Sequence, residues 1–374
     1  MAEYSRRKKF QFGFILLLLS LFASLLLAEL YIRVSKDYIT PGIIRERSLE
    51  YEPAVFARHV FPLREHEVAD SGWYINSLGY RGRPFSTAKS SGTIRIIVYG
   101  GSAVFDTNLP QGRDWPHRIE QLLQERGVDN VEVINAGIPG HASFDSFGRF
   151  FAEGHLFEPD YVLLYQAWND IKHFAMEKPL LRSIAPYVPK HDFRSTYQGT
   201  LDKVLCNVSQ LYVRLRARHY SRKYTIGFEG IIPDGNQTRN VTEIGLRQYR
   251  LNMEMFVDLA RNIQAQPILI TQARLVRRDN TAEEQSRIRY EYLGMNQETI
   301  LQAFQETDEI VSSVSVSKST HFVDAATLFH GQSDYFEDHV HLSATGSEHL
   351  AQILSEYLFG LINPPGDGPA AHRR

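Results

Sequence analysis

Three residue types that together make a nucleophile stand out in this chain. A serine follows two glycines in Gly100-Gly101-Ser102, and Asp338 and His341 lie three residues apart. A hydroxyl nucleophile needs a base to take its proton, and the base needs a third group to fix its tautomer and stabilise its cation. A single turn can bring Asp338 to His341, whereas only the fold can bring Ser102 to them. Attack on an acyl carbon also develops negative charge on oxygen, which calls for preorganised donors. The sequence offers the Ser102 N–H, the Gly137 N–H within Asn135-Ala136-Gly137-Ile138-Pro139-Gly140, and the Asn169 side chain within Ala167-Trp168-Asn169-Asp170.

Such residues must sit on elements that converge. Short apolar, β-branched runs at Ile94 to Tyr99, Val131 to Ile134, Tyr161 to Tyr165, Pro267 to Thr271 and His321 to Val323 predict five buried strands. Helical patterns separate them: Asp114 to Arg126, Ser143 to Gly154, Glu243 to Gln264, Ala282 to about Val316, and Ser343 to Phe359. Strands alternating with helices predict a parallel sheet covered on both faces. Each chemically interesting residue then falls at a strand exit, where ligands bind in such sheets. Residues 172–240 break the rhythm after the third strand. They hold several prolines and one amphipathic helix with Leu201, Val204, Leu205, Val208, Leu211, Tyr212 and Leu215 at helical spacing. This stripe either packs on the core or roofs the Ser102 site as a lid.

With four spaced blocks in order over residues 94–355, the chain resembles the SGNH (GDSL-type) serine hydrolase superfamily, in the manner of a membrane-anchored bacterial member. Gly101-Ser102 stands for the Asp-Ser of the first block, Gly137 for the second, Asn169-Asp170 for the third and Asp338-x-x-His341 for the last. Gly101 departs from the usual Asp, and Ala167 from the Gly common two residues before the Asn. Asn76 to Gly82 also looks like a segment preceding the catalytic domain in some bacterial members. The resemblance implies a flavodoxin-like three-layer α/β/α sandwich with a five-stranded parallel sheet. It also implies an esterase acting on carboxylic esters, O-acetyl esters included. Catalysis would fall to Ser102, Asp338 and His341, and the oxyanion hole to Ser102, Gly137 and Asn169, with no cofactor and no metal. The substrate would be a small-molecule or glycan ester. Two alternatives stay open: an O-acyltransferase acting on cell-surface polysaccharide, and a catalytically silent glycan-binding or scaffold protein.

Phe10 to Ala28 is nearly uninterrupted apolar sequence preceded by Arg6, Arg7, Lys8 and Lys9. About 20 apolar residues cross a bilayer, and clustered cations hold their end in the cytoplasm. The expectation is a basic tail at 1–9 and an uncleaved transmembrane anchor at 10–30; a cleaved signal peptide is the competing reading, although Leu25-Leu26-Leu27-Ala28-Glu29 offers no convincing cleavage site. A juxtamembrane connector at 31–92 follows, then a hydrolase domain at 93–360 with the insertion 172–240, and a disordered tail at 361–374. The domain would face the periplasm or exterior, and the membrane would be met through the N-terminal helix. Forty-one basic against 43 acidic residues, a formal charge of -2, argue against nucleic acid as a partner. One cysteine excludes an intramolecular disulfide.

Plainer roles compete. Ser102 could merely cap a helix, Gly137 make a turn, and Asn169 cap the segment after it; Asp170 is expected to be structural. Asp338, His339, His341 and His349 have no companion ligands at zinc-like spacing. His339 is expected to be a solvent-exposed neighbour or a minor pocket residue. Arg214, Arg216, Arg218, Arg222 and Lys223 read as a solvated face, and Cys206 as a small core residue. Asn207, Asn236 and Asn240 match the glycosylation acceptor pattern by chance composition.

Overall fold

The computed structural model describes residues 6–35, 66–68, 73–175, 199–223 and 239–364. The chain divides into two compact units. One comprises Met1–Tyr51 with Pro186–Glu229, the other Glu52–Ala185 with Gly230–Arg374.

In the first unit, α1 (Arg6–Ser35) carries a 26-residue stretch, Phe10–Ser35, in which an 18-residue window has mean hydropathy 2.4 and is not buried in the protein. It is long and apolar enough to cross a membrane and fits an anchor. The one helix expected in the insertion is two. They are separated at Ser209, whose hydroxyl turns back to accept from the Tyr212 N–H at 2.9 Å.

In the second unit, β1 (His66–Val68) and β2 (Trp73–Ile75) form a small antiparallel ribbon. Strands β3 (Ile94–Gly100), β4 (Val131–Gly137), β5 (Tyr161–Tyr165), β6 (Gln266–Ile270) and β7 (His321–Val323) make a parallel sheet in the order β4-β3-β5-β6-β7. This is the flavodoxin-like order, and it reverses between β3 and β5, the point where such sheets open a crevice. Strand periodicity sends alternate side chains to opposite faces. Ile97, Tyr99, Val162 and Leu164 join one core with Phe150, Phe256 and Phe304. Ile96, Val98, Leu163 and Tyr165 join the other with Trp115, Ile119, Leu350 and Leu354.

The helices follow the sequence pattern with one exception. The stretch 282–316, expected as one helix, is three: Ala282–Ser286, Tyr290–Leu293 and Gln297–Ser317. Gly294, at φ +66°, ends the second in the left-handed region, and the Asn296 side chain caps the third by accepting from the Thr299 N–H. The last helix runs to Ile362, beyond the expected start of the tail, and the rest of the tail lies outside the described residues.

The Asn76–Gly82 run, within the stretch read as connector, is built into this unit. Buried Arg81 bridges to Asn135 and donates to the carbonyls of Phe105, Asp106 (2.7 Å) and Leu109 (2.5 Å). It thereby grips the end of the short helix that begins at Ser102.

Candidate active site

Strand β3 delivers its last residue, Gly100, in register with Gly137 on one side and Tyr165 on the other. The chain must turn at once, and three glycines let it. A Cβ on Gly100 would lie 2.5 Å from the Tyr165 carbonyl oxygen, and one on Gly137 would lie 2.3 Å from the Phe105 nitrogen. A Cβ on Gly101 would meet Asn169 Nδ2 at 2.6 Å and the His141 oxygen at 2.9 Å. The departure from Asp at position 101 is thus matched by its surroundings, since the space for a side chain is filled. Ser102 then opens the helix Ser102–Phe105. Among the described residues its N–H has no hydrogen-bond partner, as befits the first turn of a helix.

The loop after Phe336 brings up the other two groups. His341 Nε2 lies 2.7 Å from Ser102 Oγ, across 239 residues of chain, and His341 Nδ1 lies 2.7 Å from Asp338 Oδ2. The Val340 and His341 N–H groups both donate to Asp338 Oδ1, at 3.0 and 2.9 Å, so the carboxylate is locked at the spacing of one turn. Burial alone would raise its pKa. The hydrogen bond from His341, the charges of His339 and His341 and the His341 N–H outweigh it and hold the carboxyl well below the ordinary value. Asp338 and His341 side chains stay 26% and 21% exposed, so solvent and a ligand can reach them.

Asn169 sits at the start of Trp168–Ile171, directly after β5. Its Nδ2 donates to the His141 carbonyl at 2.7 Å, and its Oδ1 accepts from the Tyr292 hydroxyl at 3.1 Å. The amide is therefore fixed at both ends, with one N–H left over by stoichiometry. Gln166 Nε2 also donates to the His141 carbonyl, at 2.8 Å.

Gly137, expected to serve the oxyanion, has its N–H already engaged in this structure. Its N–H donates to Asn135 Oδ1 at 3.0 Å, which closes the strand end and engages the donor. Three residues on, Gly140 turns at φ +85°, is exposed, and has no hydrogen-bond partner for its N–H among the described residues. It immediately precedes His141, whose carbonyl holds Asn169 and borders Gly101. The signal was present in the sequence as the second glycine of the turn, but spacing alone could not say which N–H was engaged.

Of two further residues, His339 reads from sequence as an exposed neighbour or a minor pocket residue, and Tyr292 escapes sequence reasoning. His339 is buried, not exposed, with its ring centroid 4.0 Å from that of Trp168; burial pushes its imidazole down to about 4. Tyr292, stacked against Trp168 at 6.1 Å, orients Asn169 from 123 residues away, and no local pattern announces it. Asp170 is structural in its contacts. Buried, it accepts from the Ser143 hydroxyl at 2.5 Å and the Ser143 N–H at 3.0 Å, so it anchors the helix that ends the Gly140–His141 loop.

No family model matches the chain, and no curated protein matches it. Solved structures similar to it include a lipase/acylhydrolase from Enterococcus faecalis, with 16% identity, 72% of this chain and 97% of that one covered, and TM-score 0.44. A lipolytic protein of the G-D-S-L family from Desulfitobacterium hafniense follows at 15%, covering 71% and 99%, with TM-score 0.40. An acetyl xylan esterase from Geobacillus stearothermophilus follows at 13%, covering 72% and 96%, with TM-score 0.42. At such identities and scores the likeness carries no weight of its own, and the chemistry of the site rests on its geometry.

Proposed function

We propose that this chain is a membrane-anchored serine esterase, its nucleophile Ser102, its base His341 and its orienting anion Asp338. The observation that carries the reading is the unbroken pair of 2.7 Å contacts from Ser102 Oγ through the His341 ring to Asp338. In the cycle, Ser102 Oγ bonds to the ester carbonyl carbon while His341 Nε2 takes its proton. The carbonyl π electrons move to oxygen. As they return, the alkoxide leaves and receives that proton from His341. Water, deprotonated by the same imidazole, then attacks the acyl-serine and releases the acid, restoring the serine hydroxyl. Asp338 offsets the imidazolium at each transfer. The Ser102 N–H, the Gly140 N–H and the remaining Asn169 N–H serve the oxyanion, with Gly140 in place of Gly137.

Fluorophosphonate labelling of the purified full chain tests this, with an ester panel run with and without an added sugar acceptor. Ser102 should take the label, and Ser102→Ala should lose both label and turnover while melting like the parent. Turnover persisting in a folded Ser102→Ala protein would overturn the reading. Product that requires the sugar would replace hydrolysis by acyl transfer. In a structure of the phosphonyl adduct, the phosphoryl oxygen should lie within hydrogen-bonding reach of Gly140 N; contact with Gly137 N instead would return the role to that residue.

A further inference from the structure

The two helices of the insertion, α2 (Thr200–Val208) and α3 (Gln210–Lys223), share a unit with α1 and have a small core of their own. Cys206 and Val213 are buried in it. Arg216, expected on a solvated face, is instead buried against Asp202, with Nε 2.8 Å and Nη2 3.0 Å from the carboxylate, and the Tyr212 hydroxyl donates to the same group. This leaves most of the expected apolar stripe uncovered. Leu201, Val204, Val208 and Leu215 are 72%, 50%, 57% and 54% exposed.

The first helix has three distinct faces. At about 100° per residue, Asp202 and Cys206 point to the packed side, Lys203 and Asn207 form an exposed polar side, and Leu201, Val204 and Val208 form an exposed apolar side. A short helix with separated apolar and polar exposed faces suits the boundary between water and lipid.

The elbow of the hairpin is tied to the exit of α1. Glu29 directly follows the apolar run that ends at Ala28, and its carboxylate accepts from the Gln210 and Leu211 N–H groups and the Ser209 hydroxyl, each at 2.8 Å. One turn on, Arg33 donates to the Val208 carbonyl at 2.7 Å and pairs with Glu29 at 2.7 Å. The anion thus caps the start of α3 and the cation the end of α2. Both charges at the end of the apolar helix find partners in the hairpin.

We infer that the hairpin is a membrane-interface foot: its apolar side, Leu201, Val204 and Val208, lies in the lipid boundary of the bilayer that α1 crosses. This rests on α1 being a membrane span. The occupant is lipid because the face is fastened to the turn where the span leaves the hydrocarbon, and because exposed Lys203 borders it on the same helix as cations border an interfacial segment.

The test uses the full chain in phosphatidylcholine vesicles containing phosphatidylcholine brominated near the headgroup or deep in the acyl chain. Tryptophan is introduced singly by Leu201→Trp, Val204→Trp, Asn207→Trp and Leu18→Trp, and read against the parent with its three tryptophans. Emission added at positions 201 and 204 should be blue-shifted and lost to shallow bromines, that at 207 spared, and that at 18 lost to deep bromines. Quenching at 18 with none at 201 and 204 would overturn the foot and leave the anchor standing. No quenching at any of them would overturn both.

Discussion

Asp338, in a loop, and Asp170, in the short helix Trp168–Ile171, both stand at the carboxyl edge of one sheet, and their surroundings drive them in opposite directions. Both meet burial, and both accept several hydrogen bonds. Asp338 keeps 26% of its side chain exposed and faces two imidazoles, and it stays ionised far below the ordinary carboxylate range. Asp170 is enclosed, and burial pushes it up to about 7 against the lowering effect of neutral donors from Ser143 and Gln166. The contrast shows that donor count does not decide a carboxylate's charge. Solvent access and a facing cation do. An anion meant to balance an imidazolium needs both, whereas a clamp on a helix start needs neither.

Asp338→Asn is the strongest way to break this contrast. It should lower kcat on the order of 10³-fold or more, through loss of the anion and of the tautomer it fixes, and it should lower Tm at neutral pH as well, because a carboxyl held below its ordinary pKa favours the fold. Steady-state kinetics and calorimetry on the same samples check it, and a comparable kcat loss in Asp170→Asn would erase the distinction.

Asn169→Ala should cost on the order of 10²-fold in kcat with KM little moved, since an oxyanion donor acts in the transition state. An effect on KM alone would make Asn169 a substrate-binding residue.

Asp170→Asn sharpens the comparison through pH. Because the folded pKa of about 7 exceeds the ordinary 3.8, Asp170 favours the fold fully below pH 3.8 and loses that contribution as pH rises through 7. The Tm of the Asn variant should therefore gain on the parent between about pH 4 and pH 7. A constant difference would show that the carboxyl is ionised throughout.

The smallest effect concerns His339. Its folded pKa of about 4 lies below the ordinary 6.5, so the unfolded chain takes up the proton first and the parent loses stability as pH falls from 6.5 towards 4. In His339→Gln that part of the decline should vanish from the Tm profile, whatever the substitution costs at neutral pH. An unchanged slope would assign the decline to other groups.

Much of this was legible beforehand. Tyr161–Tyr165 and His321–Val323 are strands at the residues the apolar runs indicate; the first is buried along its whole length, as a central strand covered on both faces must be. The spacing of Asp338 and His341 carried their contact, because one turn is a local matter. The 282–316 stretch misled because helical periodicity continues across both of its breaks, one at 287–289, where Arg289 leaves helical geometry at ψ 73°, and one at Gly294, with its left-handed φ. The apolar stripe of the insertion was legible too, but not that Leu201 and Val204 would be left exposed.

By itself, the order of residues determined the strands, the residues placed at their ends, the apolar N-terminal helix and the pairing of Asp338 with His341, all properties of short range along the chain. Only the tertiary structure decided that Ser102 meets His341, that Tyr292 and the His141 carbonyl hold Asn169, that the Gly137 N–H is engaged while that of Gly140 has no partner among the described residues, and that Glu29 caps a helix about 180 residues away. The physical reason is that a hydrogen bond is satisfied once. Which of several competent donors remains unpaired depends on every neighbour the fold brings within about 3 Å, and those neighbours come from distant parts of the chain.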